Sequence, residues 1–143
     1  MSYNYNVKSV VLPRILHYTI KMYMHRTLDL KPHLKQKSIL LLGPRRTGKS
    51  SYIQNQIQPD LYLNLLDADI FSKFAFNPSL LKDMVKKSSI VAIDEIQKLP
   101  NLMDEVHSLI EQNKNLRFLL TGSSAKKIKS SHTSLMAGRA RQF

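Results

Sequence analysis

The stretch Gly43-Pro44-Arg45-Arg46-Thr47-Gly48-Lys49-Ser50-Ser51 sets two glycines, a lysine and a serine at the spacing G-x-x-x-x-G-K-[ST]. Phosphate oxygens need a concavity of backbone N–H groups, and glycine lets the chain bend into one and approach closely. In such a loop Lys49 reaches the β- and γ-phosphates of a nucleoside triphosphate, and the Ser50 hydroxyl ligates Mg²⁺. The candidate phosphate contacts are Gly43, Thr47, Gly48, Lys49, Ser50 and Ser51. A plain glycine-rich turn would explain the same residues. The context argues against it: the apolar run SILLL (38–42) precedes and a helix-forming segment follows.

Chemistry at a phosphate needs more than a cradle. Asp94 and Glu95 end an apolar stretch, where open α/β sheets bind ligands. An Asp there can hold Mg²⁺ through water, and the adjacent Glu can orient or deprotonate an attacking water. Acids after a strand also cap helices, and only the pairing with the loop favours the catalytic reading. A third polar group follows in LTGSSAKK, where Thr121, Ser123 or Ser124 would project between loop and metal if this strand lies beside the first. Ser123 is the candidate sensor of the γ-phosphate, although an N-cap for AKKIK would explain either serine. The expected catalytic set is therefore Glu95, Lys49 and Ser123, with Ser50 and Asp94 on the metal.

Alternating elements must position these groups. Residues 12–29 place Leu12, Ile15, Leu16, Ile20 and Tyr23 on one helical face, with Pro13 in a first turn. Pro32 is expected to break that helix. SILLL is short and wholly apolar, as a strand buried on both faces should be. A helix is expected from Lys49 to about Gln58, stopped by Pro59. Strands are expected over 61–66, 89–93 and 116–120, and an amphipathic helix over 102–113. Asp69 or Asn77 would cap short helices between them. Strands alternating with helices imply βαβ units, a parallel sheet and an α/β fold.

Composition bounds the possibilities. The chain has 143 residues, 43% hydrophobic and 22% charged, which suits one globular core. There is no cysteine, so disulfide frameworks and thiolate metal sites are excluded. No signal peptide is legible at the N-terminus, and no apolar run approaches the roughly 18 residues of a membrane span. A cytoplasmic location and no membrane partner are the expectation. The net charge of +12 is unevenly spread: residues 1–37 hold seven basic residues against one acid, 38–119 ten against nine, and 120–143 five against none. Basic ends suit a nucleic-acid partner, though solvated helix faces explain them more simply.

With the loop, the acid pair and LTGSS in order, the sequence resembles the prokaryotic AAA-like ATPases, in which a P-loop domain precedes a C-terminal domain of uncharacterised role. The matching stretches are LLLGPRRTGKS, YLNLLDAD, IVAIDEIQKLPNLMDEVHSLIE, RFLLTGSSAKKI and LMAGRARQF, covering residues 38 to 143. The resemblance implies a P-loop fold with sheet order 5-1-4-3-2, and it implies ATP and Mg²⁺. It carries Gly43, Gly48, Lys49 and Ser50 over to phosphate and metal, Asp94 to Mg²⁺ and Glu95 to the base. Asp67 and Asp69 match an acidic turn after the second strand. Gln97 recurs in the family with no physical role apparent, and Arg139 matches an arginine that would contact phosphate or remain a solvated loop charge.

The resemblance divides the chain into a basic helical segment, 1–37, and an ATPase core, 38–143. The family continues past the match into a fifth strand and a helical region. From the sequence, strand 5 is expected to be missing, leaving strand 1 as an unpaired, aggregation-prone edge. The expected function is ATP binding with hydrolysis of the β–γ bond. The alternatives are a nucleotide-dependent nucleic-acid-binding module with little hydrolysis, and a small-molecule kinase sharing the loop.

Overall fold

Alternation along the strands divides the apolar side chains into two buried clusters, one on each face of a single sheet. Leu40, Leu63, Val91, Ile93, Phe118 and Leu120 belong to one cluster; Ile39, Leu41, Ala92 and Leu119 belong to the other. The two-residue period of a strand sends neighbours to opposite faces, so runs such as SILLL must be covered on both sides. The computed structural model describes residues 28–123, 138 and 140–143. The helix expected over 12–29, together with Ser124 and Arg139, lies outside the described residues, apart from the final two positions of that helix.

In chain order the elements are α1 (Lys31–Gln36), β1 (Ser38–Leu42), α2 (Lys49–Tyr52), a π-helical turn (Ile53–Ile57), β2 (Leu61–Asn64), α3 (Ala68–Phe76), α4 (Leu80–Met84), β3 (Ile90–Asp94), a 3₁₀ turn (Ile96–Lys98), α5 (Leu102–Gln112), β4 (Arg117–Gly122) and β5 (Ala140–Gln142). The sheet order is β2-β3-β4-β1-β5, which read from the other edge is 5-1-4-3-2. Every described pairing is parallel. Helix α5 turns Leu102, Met103, Val106, Leu109 and Ile110 into the first cluster, at the i, i+1, i+4, i+7, i+8 spacing of one helical face. Tyr52, Ile53 and Ile57 after the loop, with Leu30 and Leu34 around α1, complete the second. Fully burying each such aliphatic side chain contributes roughly 1.5–3 kcal/mol.

Several sequence expectations are corrected. Strand 5 is present: Ala140, Arg141 and Gln142 pair with Ser38, Ile39 and Leu40. The Phe143 N–H continues the ladder to the Leu40 carbonyl at 3.0 Å. Strand β1 is therefore interior, between β4 and β5, and the exposed apolar edge does not arise. ARQF carries no hydrophobic pattern, so only its neighbour reveals it as a strand. Pro32 lies in the first turn of a helix the sequence did not announce, α1, where its missing N–H has no helical partner to lose. Residues 28–30 before it are not helical, and the rest of the helix it was expected to end lies outside the described residues. The helix after the loop holds four α-helical residues and then widens, with Gln58 N–H bonded to Ile53 O at 2.9 Å. Asp67, not Asp69, caps α3 by accepting from the N–H groups of Asp69 and Ile70. Asn77 ends α3 and holds the N–H and hydroxyl of Ser79.

One acid clamps two strands. Asp60, just before β2, accepts from Ile90 N–H at 2.8 Å and Ser89 N–H at 2.7 Å. These two backbone bonds, Ile90's the larger, hold its carboxyl below the usual range. A pKa depressed by folding means the charged form stabilises the fold above the unfolded pKa, and that contribution fades as pH falls through the folded value. Asp60→Asn is expected to lower the urea midpoint at about pH 7, with the gap from wild type closing below about pH 3. Equal midpoints at neutral pH would show that the clamp contributes nothing.

Candidate nucleotide site

Parallel register brings the chemistry to one end of the sheet. Leu42 pairs with Gly122 and Asn64 with Asp94, so β1, β4, β3 and β2 end together. The loop leaves β1, Ser123 leaves β4 and Glu95 leaves β3 at that common edge. The loop leaves its strand tied to its neighbour, because Gly43 N–H donates to Gly122 O at 3.2 Å.

Two residues give the loop its curvature. Gly48 sits at φ 74°, a left-handed conformation that suits glycine, and Arg46 adopts φ 62° without that freedom. The Thr47 hydroxyl donates to Pro44 O at 3.0 Å and closes the turn. Lys49 is 7% exposed, and its ammonium donates to Gly43 O at 2.7 Å and Pro44 O at 2.8 Å. The buried cation is thus held across the mouth of its own loop. A cavity of about 570 Å³ opens there, lined by the whole of Arg45–Ser51 together with Leu66 and Glu95. Three basic side chains against one acid make its wall attractive to a polyanion.

Asp94 is 2% exposed, and two hydroxyls donate to its carboxylate. Thr121 Oγ1 donates to Oδ1, and Tyr62 Oη donates to Oδ2 at 2.7 Å. Burial, and then the bond to Asp94, push the Tyr62 phenol up to about 12, so it stays protonated and remains a donor. The side chains of Ser50 and Gln54 lie near this phenol and oppose the shift. Tyr62 therefore ties β2 to the aspartate of β3 beside the loop. A hydroxyl and a carboxylate are hard oxygen donors, the set that fits Mg²⁺ completed by phosphate oxygens and water.

Glu95 takes φ 60°, a strained choice for a non-glycine residue. Its N–H donates to Thr121 Oγ1 at 3.1 Å, so one buried hydroxyl serves both acids. Gln97 Nε2 donates to Glu95 Oε2 and, at 3.0 Å, to Ser123 Oγ. Of the residues expected at the site, Thr47, Gly48, Lys49, Ser50, Ser51 and Glu95 line one cavity, while Gly43, Asp94 and Ser123 do not line it and are tied to its neighbours by hydrogen bonds. Thr121 turns to the acids and does not project toward the loop. Asp67 and Asp69 belong to the capped start of α3. Sequence reasoning missed Tyr62, which reads in LYLNLL as an ordinary strand aromatic, and found no role for Gln97. Neither carries a signal that spacing could have revealed.

A family model described as an AAA domain matches residues 35–143. The chain belongs to that family. It is a prokaryotic AAA-like P-loop domain, ATPase-like and nucleotide-binding at the level the family supports. No curated protein matches it. In fold this AAA domain is similar to AMPPCP-bound DnaA from Aquifex aeolicus, with TM-score 0.55 and 14% identity over 80% of this chain and 43% of that one. It is also similar to a DNA replication initiation factor, with TM-score 0.53 and 13% identity over 78% of this chain and 42% of that one. The chain thus spans less than half the length of either. Likeness at such identity speaks for the fold alone. Among the described residues, no helix is long and apolar enough to cross a membrane.

Thr121 is wholly buried and its hydroxyl serves Asp94 and Glu95 at once. Thr121→Val keeps the shape and strands both partners, so a loss of about 1–3 kcal/mol is expected in urea unfolding. Thr121→Ser should recover most of it. A Val variant as stable as wild type would show that the shared hydroxyl is dispensable.

Proposed function

We propose that this AAA domain binds ATP with Mg²⁺ and hydrolyses the β–γ phosphate bond. The observation that carries the reading is that Glu95, just after β3, lines the same cavity as residues Arg45–Ser51 of the loop. The loop N–H groups and Lys49 would take the phosphates, Lys49 exchanging the carbonyls of Gly43 and Pro44 for phosphate oxygens. Ser50 and Asp94 would hold Mg²⁺, which when bound neutralises charge on the phosphate oxygens. Asp94 is pre-set for that task because Thr121 and Tyr62 fix both of its oxygens. Glu95 would accept the proton of a water attacking the γ-phosphorus as the bond to the β-phosphate oxygen breaks and ADP departs. Ser123 would donate to the γ-phosphate or to that water.

Removing the buried cation tests the loop. Lys49→Ala is expected to weaken ATP binding by about 1.5–3 kcal/mol, roughly ten- to hundred-fold, as charge-assisted contacts of this kind do. Equal affinity in a fluorescence titration would mean that the loop is not the site.

Glu95→Gln keeps the shape of the base and cannot take a proton, so binding is expected to persist while phosphate release stops. A variant as fast as wild type would remove Glu95 as the base. Wild-type protein that binds ATP tightly and never turns it over would instead favour a nucleotide-dependent binding module.

A further inference from the structure

Gln97 lies two residues beyond the candidate base, in the 3₁₀ turn Ile96–Lys98, and its amide does two things at once. One amide nitrogen donates to Glu95 Oε2 and to Ser123 Oγ, bridging the ends of β3 and β4. The amide carbonyl, Oε1, is buried with no partner among the described residues. A buried carbonyl left unpaired is costly, so the amide is held in this orientation by its two acceptors. The reverse orientation would set the amide oxygen against the Glu95 carboxylate, which repels it.

The consequences for the acceptors follow from hydrogen-bond inventory. A serine oxygen that accepts from an amide keeps its own proton free to give, so Ser123 becomes a donor toward the loop. A carboxylate held through Oε2 has its ring of rotation removed and presents Oε1 as the free basic oxygen. We propose that Gln97 is a positioning residue that sets Glu95 and Ser123 as a unit, fixing which oxygen of Glu95 receives the proton and making Ser123 a donor. The proposal rests on the reading of Glu95 as base. Gln97 acts through these two acceptors.

The test uses the full chain and ATP, with single-turnover hydrolysis followed across pH and affinity measured with a fluorescent ATP analogue. Gln97→Leu is expected to leave affinity within about two-fold and to lower the turnover rate about ten- to hundred-fold, as a misplaced catalytic group does. Gln97→Glu places a second carboxylate against Glu95, and like charges raise the pKa of the pair. The rise of the rate with pH is then expected about one unit higher than in wild type, which a merely structural role would not produce. In the Ser123→Ala background, Gln97→Leu is expected to cost less than it does in wild type, because the two act together.

A wild-type rate and pH profile in both Gln97 variants overturns the proposal, as does an additive loss in the double variant. Loss of turnover in Glu95→Gln with none in Gln97→Leu removes this proposal and spares the functional reading. A wild-type rate in Glu95→Gln removes both. Where turnover is too slow to fit, the Gln97 side-chain amide resonance, assigned by its disappearance in Gln97→Leu, replaces the rate. Displacement of that signal by both Glu95→Gln and Ser123→Ala supports the bridge, and indifference to both overturns it.

Discussion

The Asp94 carboxylate lies almost entirely out of water, and a charge so placed is tolerable only when donors meet its oxygens. Here the donors come from two other strands: Thr121 from β4 and Tyr62 from β2. That requirement couples three strands to one another at their C-terminal ends. A slip of one residue in either pairing would turn each of these side chains to the opposite face. The apolar alternation that buries Leu40, Val91 and Phe118 on one face and Ile39, Ala92 and Leu119 on the other prevents that slip. Core packing and site geometry are thus one constraint seen from two sides.

The same hydroxyl links the two acids, since Thr121 donates to Asp94 and accepts from the backbone of Glu95. Glu95 then departs from the strand with φ 60°, which turns its side chain toward the cavity and not into the layer above. That strained conformation lies beside the candidate nucleotide cavity, a place where such strain is common when the site is functional. Around it the polar groups form a connected set: Tyr62 to Asp94 to Thr121 to Glu95 to Gln97 to Ser123. The Gln97 amide oxygen is buried with no partner among the described residues. A buried amide oxygen left unpaired costs stability, which sets Gln97 apart from the groups around it whose bonds are made.

Much of this was legible beforehand for a definite reason. The phosphate loop, the acids after β3 and the polar end of β4 all belong to local patterns, in which residue type and spacing determine what the backbone does. Strands β1, β3 and β4 announce themselves because burial on both faces demands unbroken apolar runs. What was misread depended on partners far along the chain. ARQF has no strand pattern of its own and becomes β5 because β1 offers it a ladder. Helix α1 was not read from the sequence at all, and where it begins is set by the packing of Leu30 and Leu34, with Pro32 in its first turn.

The sequence by itself determined the α/β class, the phosphate loop and the identity of the acid pair, since each is written in contiguous residues whose chemistry does not depend on what surrounds them. Only the tertiary structure decided that β1 lies inside the sheet, that Tyr62 and Thr121 hold Asp94, and that Gln97 joins Glu95 to Ser123. Those contacts span separations of 32, 27 and 26 residues. A hydroxyl or an amide reads the same in any strand or turn; its role is set by which buried charge or acceptor lies within about 3 Å of it, and that is a property of register and packing.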